Sequence, residues 1–338
     1  METAGSNYGS DRNGLVWGYV LGAGREAAPI DSEGAAKWLA TAASAEPDRF
    51  VWLHFSLANA ACKSWLRANL KLPDAFHVEL RDATGSTRLE RDGDALIAVV
   101  HDVLFDFTFD ASDVSAVSLC VQPQVMISAR LKPLRSLDRL RASVKAGDGF
   151  GSPAGLLAQL LRDQAGVLAD ILRQATGRVD EIEDKLLTNR ISVSRTELGA
   201  LRRVLVRLQR LLAPEPAALF RLLSRPPAWV GAEDVQDLRE AAEEFSVAVA
   251  DSATLGERVK LLQEELAATL SERTGRTLFV LTIVTVLALP VNLLAGLFGM
   301  NVGGIPFAGD GHGFWTVVVT LIAFTAAVGY LALRKFRE

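Results

Sequence analysis

The stretch TLFVLTIVTVLALPVNLLAGLF, residues 277–298, decides the fold of this 338-residue chain. It contains no charged residue and reaches the roughly 20 residues that a helix needs to cross ~30 Å of hydrocarbon. A second run, FWTVVVTLIAFTAAVGYLAL at residues 314–333, meets the same criteria and carries Trp315 and Tyr330 near its ends, where amphipathic rings favour the lipid headgroups. Two buried core helices are the alternative, but soluble helices rarely run so far without a charge. The sequence therefore predicts two membrane-spanning helices.

Basic residues lie before the first span and after the second. Arg273 and Arg276 precede the first span, and no Lys or Arg lies between the spans. A basic tail at 334–338 follows the second span. Because positively charged flanks tend to stay in the cytoplasm, we expect both termini there. Residues 299–313 would then form a periplasmic loop of a protein in the inner (plasma) membrane.

Composition excludes several functional classes. The formal net charge of -4 and the pI of about 5.7 argue against a nucleic-acid partner, which usually requires a basic surface. Cys62 and Cys120 are the only cysteines, too few for a disulfide framework or a thiolate zinc site. No glycine-rich nucleotide motif and no paired histidines are present. We therefore expect neither an enzyme nor a bound cofactor. We also expect residues 1–14 to be disordered, with no cleavable signal peptide.

The sequence upstream of the first span predicts a layer of helices over residues 151–276. Residues 235–276 contain no proline, and their apolar positions recur at steps of three, four and seven. We expect this segment to run straight into the first span as a stalk helix of about 100 Å, since an α-helix rises ~1.5 Å per residue. Such a helix needs partners to bury its apolar stripe. Residues 153–187 and 194–223 are predicted helices that can supply them.

Before residue 150 the pattern changes to short runs rich in Val, Ile, Phe and Trp, which are typical of strands. Helical stretches separate these runs. The sequence therefore predicts a cytoplasmic α+β domain at residues 15–150, a mixed sheet with helices. The predicted strands are 15–21, 50–55, 96–105, 114–121 and 125–129, and the predicted helices are 35–43 and 57–70.

Polar residues interrupt the first span on one helical face. An amide inside hydrocarbon is costly unless it meets a partner or water, so Asn292 faces either a pore or a neighbouring helix in a packed bundle. Pro290 lies two residues before it and leaves a backbone carbonyl without its usual donor. The residues that share this face at steps of three and four are Leu278, Leu281, Thr285, Leu289, Asn292, Gly296 and Gly299.

The segment after this face carries a family signature. Gly299-Met300-Asn301 matches the GMN motif of the CorA superfamily of divalent-cation transporters. The context also agrees, with SERT at 271–274, VLT at 280–282, Pro290 and a second span. The continuation VGGIP at 302–306 resembles the zinc-transporting ZntB branch, whereas magnesium and cobalt transporters more often continue with a Met-Pro-Glu-Leu-like loop. The chain thus resembles a member of this superfamily.

The resemblance implies a homopentameric funnel in the lipid bilayer, with the first span of each subunit lining a central pore and the second span outside. It implies an entrance formed by Gly299, Met300 and Asn301, polar rings at Thr285 and Asn292, and apolar constrictions at Leu278 and Leu289. Further expected positions are Leu281 and Gly296 in the pore and Glu264 at the inner mouth. Asp310 is the only carboxylate in the loop, and Asp310 with His312 is a candidate metal pair whose alternative is two solvated side chains.

The transported cation implied by the resemblance is Zn2+, with Ni2+ and Cd2+ as relatives, and the direction is uptake, alone or linked to protons. A CorA-type Mg2+ or Co2+ channel is the first alternative. A membrane-anchored scaffold without transport is the second, and in that case Thr285 and Asn292 would be buried between helices.

Overall fold

A computed structural model describes residues 9–41, 46–81, 87–187, 195–300, 306 and 311–337. Asn301 and Asp310 lie outside the described residues. The chain divides into two compact units, Met1–Leu262 and Gln263–Glu338. The first holds the sheet and most helices, and the second holds the C-terminal part of the long helix together with the last helix.

A seven-stranded mixed sheet forms the centre of the first unit, in the order β2-β1-β3-β7-β6-β5-β4. The β3–β7 pair is parallel, and the other neighbours are antiparallel. All five strands expected from Val, Ile and aromatic content are confirmed. The two that the sequence did not indicate are both edge strands, one only two residues long and the other with the charged sequence RLERD. The strands are β1 (Leu15–Gly22), β2 (Ala28–Pro29), β3 (Arg49–Ser56), β4 (Arg88–Asp92), β5 (Ala95–Val103), β6 (Val114–Gln122) and β7 (Val125–Arg130).

Helices cover both faces of the sheet. The helices α1 (Ser32–Thr41), α2 (Ala61–Asn69) and α3 (Asp74–Glu79) belong to one face, whose core includes Phe55 and Phe76. The opposite core joins Trp52 and Leu119 of the sheet to α4 (Arg135–Ala146) and the later helices. Gly147 ends α4 with a φ of 93°, a left-handed conformation that glycine adopts without steric cost.

The predicted helical layer is present, with one difference. Helix α5 spans Pro153–Leu187, as expected. The stretch expected at 194–223 is two helices, α6 (Arg195–Leu212) and α7 (Pro214–Leu223), because Pro214 and Pro216 cannot donate the backbone hydrogen bonds of a continuous helix. Helix α8 then runs from Ala232 to Phe298, and α9 spans Gly313–Arg337.

The apolar stripe predicted for the stalk is buried along most of its length. Leu238, Phe245, Val259 and Leu266 are each at most 2% exposed, whereas Leu270 is 37% exposed. Ion pairs join the two long helices beside this stripe: Arg258 of α8 contacts Asp180 and Glu183 of α5. Burial of the stripe stabilises the packing of α8, and the exposed ion pairs add little.

Candidate functional site

The second unit presents two long apolar helices. The most apolar 18-residue window of α8 has none of its residues buried, and the corresponding window of α9 has 6% buried. A core helix of a soluble protein would be mostly buried, and a signal sequence would lie near the N-terminus. Both helices are long and apolar enough to cross a bilayer. Lipid would supply the apolar surroundings that the rest of this unit does not.

Helix α9 lies against one face of the apolar part of α8. The two helices line a half-open apolar cavity of about 380 Å³. The α8 residues that line it recur at steps of four, which places them on a single face of the helix. The lining consists of Pro290, Leu294 and Phe298 from α8 and Thr316, Val317, Thr320, Leu321 and Phe324 from α9.

The face of α8 that we expected to line a pore points away from α9. At about 100° per residue, its members cluster roughly half a turn from Pro290, Leu294 and Phe298. All six residues of this face from 278 to 296 are exposed in the single chain, and the leucines reach 57–64% exposure. The members are Leu278, Leu281, Thr285, Leu289, Asn292 and Gly296.

The two polar side chains of this face differ in how they are satisfied. The Thr285 hydroxyl donates to the Leu281 carbonyl at 2.9 Å, so it requires no external acceptor. The Asn292 amide is exposed, and among the described residues none hydrogen-bonds to it. In hydrocarbon such an amide would cost several kcal/mol, on the order of 2 to 7. Asn292 therefore needs water or a neighbouring molecule.

Helix α8 ends at the GMN signature. The Gly299 amide donates to the Ala295 carbonyl at 3.0 Å, and the Met300 amide donates to the Leu297 carbonyl at 3.4 Å. A Cβ atom on Gly299 would lie 3.1 Å from the Ala295 carbonyl oxygen, so a larger residue would press on this final turn. Glycine thus permits a tight helix end immediately before Asn301.

The remaining expected positions are only partly described. Glu264 is exposed on α8. The carbonyl of His312 accepts the Thr316 amide and hydroxyl at 3.1 Å each, where α9 begins. Because Asp310 and Asn301 lie outside the described residues, the metal pair and the entrance ring stay predictions. Within the described part of the chain, no group of three or more His, Cys, Asp or Glu side chains is arranged to hold a metal ion.

One buried polar pair was not anticipated from the sequence. Glu215 of α7 is 1% exposed, and its Oε1 accepts the His101 backbone amide at 2.6 Å. Burial raises the Glu215 pKa well above its ordinary value and lowers the pKa of His101. The side chains lie 3.9 Å apart, yet both shifts favour neutral groups, so we regard the pair as uncharged. The only feature of the sequence that indicates this pair is the position of the Glu215 carboxylate between Pro214 and Pro216.

Nearly the whole chain is similar to known proteins. Residues 47–337 match the family model described as CorA-like Mg2+ transporter protein. The divalent cation transporter CmaX of Pseudomonas aeruginosa is 27% identical over 339 residues, covering 97% of each chain. The zinc transport protein ZntB of Pectobacterium atrosepticum is 24% identical and covers 84% of this chain and 86% of the relative.

A solved structure of full-length CmaX has the same architecture. It superposes with a TM-score of 0.80 and 25% identity, covering 98% of this chain and all of the CmaX chain. The expected fold, an N-terminal α+β domain followed by a long helix and a second apolar helix, is thereby confirmed. The chain belongs to the family of CorA-like Mg2+ transporter proteins, and it is a divalent-cation transporter rather than an enzyme.

Proposed function

We propose that five copies of this chain surround a central pore lined by the face of α8 that carries Thr285 and Asn292. The observation that carries this proposal is the position of α9, which covers the opposite face of α8 at Pro290, Leu294 and Phe298. The polar face is thus left free for an axis shared by several subunits. Water along that axis would solvate the Asn292 amide.

The alternative surroundings of Asn292 are less favourable. Lipid cannot hydrogen-bond to the amide, and α9 lies on the wrong side of α8 to do so. A packed bundle without a pore would have to recruit a partner chain to this face. Family membership in a group of cation transporters argues against the scaffold function.

The mouth of the proposed pore is Gly299, Met300 and Asn301. Five Asn301 side chains would offer uncharged oxygens to a cation that keeps its water shell. Conduction requires binding weak enough for release, which neutral dipoles provide. Below the mouth, Leu278 and Leu289 would form apolar constrictions. Leu281 would line the pore between them, with Gly296 near the outer end and Glu264 at the inner mouth.

We propose Zn2+ as a transported cation. The support is the VGGIP continuation after the signature and the similarity to proteins named zinc transport protein ZntB. Mg2+ or Co2+ is the alternative, and the description of the family names Mg2+. For direction we propose uptake into the cytoplasm, with protons as candidate coupling ions.

For membrane orientation we propose cytoplasmic termini. Arg273 and Arg276 precede the apolar part of α8, and the basic residues after Tyr330 lie on the same side of the membrane if α8 and α9 each cross once. The loop with Asn301 would then face the periplasm of an inner-membrane protein.

Cation flux into liposomes tests the pore. Purified full-length protein should carry Zn2+ above the rate of empty vesicles, and Asn301→Ala should reduce that flux at least tenfold. Thr285→Ala and Thr320→Ala form a matched pair, because both hydroxyls donate to the carbonyl four residues earlier but only Thr320 lines the cavity between α8 and α9. We expect Thr285→Ala to alter the flux and Thr320→Ala to leave it unchanged. Equal flux in wild type and Asn301→Ala would contradict the proposed mouth.

Metal preference and assembly need separate measurements. Competition among Zn2+, Mg2+ and Co2+ in the same liposomes decides between the two transporter types, and a pH gradient across the vesicles tests proton coupling. The mass of the protein in detergent should correspond to five chains. A stable monomer or dimer that carries no cation would refute the pentameric pore.

A further inference from the structure

A small basic pocket lies between α2 and α3, remote in sequence from the GMN signature. Its volume is about 400 Å³, and three of its side chains are cationic: Lys63 and Arg67 of α2, and Arg81 just after α3. Among the described residues that line it, none is a carboxylate. His77 completes the polar lining, and the other members are Ser64, Ala68 and Leu80.

These cations have no ion-pair partner among the described residues. None of the described salt bridges includes Lys63, Arg67 or Arg81. By contrast, Arg88, which follows α3, contacts both Glu79 and Glu90. Three like charges around one pocket repel one another, and this occurs in a chain whose net charge is -4.

The helix dipole explains the positions of only some of these basic side chains. Arg67 lies in the last turn of α2 and His77 in the last turn of α3, where the helix dipole favours a cation. Lys63 is near the start of α2, where the dipole opposes its charge. Local helix electrostatics therefore do not explain why all of these groups share one pocket.

His77 supplies a buried polar group at the same place. It is 9% exposed, lines the pocket, and has no hydrogen bond to its ring nitrogens from any described residue. Burial and the nearby Arg67 and Arg81 charges lower its pKa, whereas Asp74 acts in the opposite direction. A bound anion would accept a hydrogen bond from the ring and offset the repulsion among the cations.

We propose that this pocket binds a small oxyanion of the phosphate class, held by Lys63, Arg67 and Arg81 with His77 as a further donor. The volume accommodates a phosphate group with part of a larger metabolite attached, since small-molecule sites begin at roughly 300 Å³. Arginine suits this ligand because its planar guanidinium can donate two parallel hydrogen bonds to phosphate oxygens.

Calorimetric titration of the full-length protein in detergent with inorganic phosphate tests the proposal. We expect saturable binding that weakens about tenfold or more in Arg67→Gln and in Arg81→Gln, because a hydrogen bond to a charged group is worth at least one factor of ten in affinity. Lys63→Gln should behave similarly. Lys37→Gln is the matched control, since Lys37 is an exposed lysine of α1 outside the pocket, and it should bind as the wild type does.

The source of the phosphate group is distinguished by titration with AMP. Tighter binding of AMP than of inorganic phosphate would identify a phosphate monoester as the ligand, and equal binding would identify the phosphate group alone. Both results support the oxyanion site. Absence of saturable binding for both ligands, or equal losses in Lys37→Gln and Arg67→Gln, would overturn it.

Sulfate tests the part assigned to His77, because sulfate keeps its double charge at every pH used. Its affinity for the wild type should rise as the pH falls below about 6.5, where an imidazole with a lowered pKa begins to gain a proton. His77→Gln should abolish this rise. An unchanged pH dependence in His77→Gln would remove His77 from the site.

Discussion

Accessibility of introduced cysteines offers a sharp test of the pore-lining face of α8. The perturbation is Asn292→Cys on the proposed pore face, with Leu294→Cys as the matched control. The two positions differ by two residues, about 3 Å along the helix axis, so they lie at nearly the same depth. Leu294 lines the cavity against α9, whereas Asn292 is exposed.

The two native cysteines should react only slowly with a thiol reagent, and the structure gives the reason. Cys62 and Cys120 are both buried, and burial raises the pKa of each to about 12. Such a thiol is ionised to about one part in ten thousand at pH 8, whereas a free thiol with a pKa of about 8.5 is ionised to about one quarter. Because the thiolate is the reactive form, a cysteine in a water-filled pore should react roughly 2,000-fold faster than the native pair.

The assay measures modification of the reconstituted protein by a charged, water-soluble thiol reagent, together with cation flux. We expect Asn292→Cys to react at the rate of a free thiol and to lose flux once a bulky group is attached. Leu294→Cys should stay near the background rate. Equal modification of the two variants, or modification of Asn292→Cys without any change in flux, would refute the assignment of this face to a pore.

Three further predictions concern the first unit and are read from unfolding midpoints of the full-length protein in detergent. Because Glu215 has a raised pKa in the fold, its contribution to stability is present below the ordinary glutamate pKa and is lost as the pH rises toward the folded value. Glu215→Gln should therefore gain stability relative to wild type as the pH is raised above that ordinary pKa; equal slopes of stability against pH for the two proteins would exclude a neutral Glu215. Phe245→Ala should destabilise the packing of α8 by about 3 kcal/mol or more through the cavity it leaves, and a change below 1 kcal/mol would mean that the site collapses to fill it. Arg258→Met should cost less than about 1 kcal/mol, since its ion pairs with Asp180 and Glu183 are solvent-exposed; a larger loss would indicate a cooperative network.

Local patterns in the sequence were sufficient for much of this fold. The uncharged run at 277–298 and the regular apolar stripe from Leu238 to Leu266 predicted one continuous helix, because helical period and length are properties of neighbouring residues. The same holds for the strands rich in Val, Ile and aromatic residues. The sequence did not predict the edge strand β4, because its charged residues give no alternating apolar pattern. Pairing with β5 makes it a strand.

The sequence by itself determined that the chain has two apolar spans, an α+β domain and a GMN signature, since each is a short contiguous pattern. It left open which face of the first span meets a partner. Only the tertiary structure decided that α9 covers the Leu294 side of α8 and that Glu215 lies under the His101 amide. It also decided that two cationic side chains of α2 share one pocket with His77 of α3 and with Arg81 after α3. These features bring together residues distant along the chain, and their positions follow from packing between elements rather than from any local period.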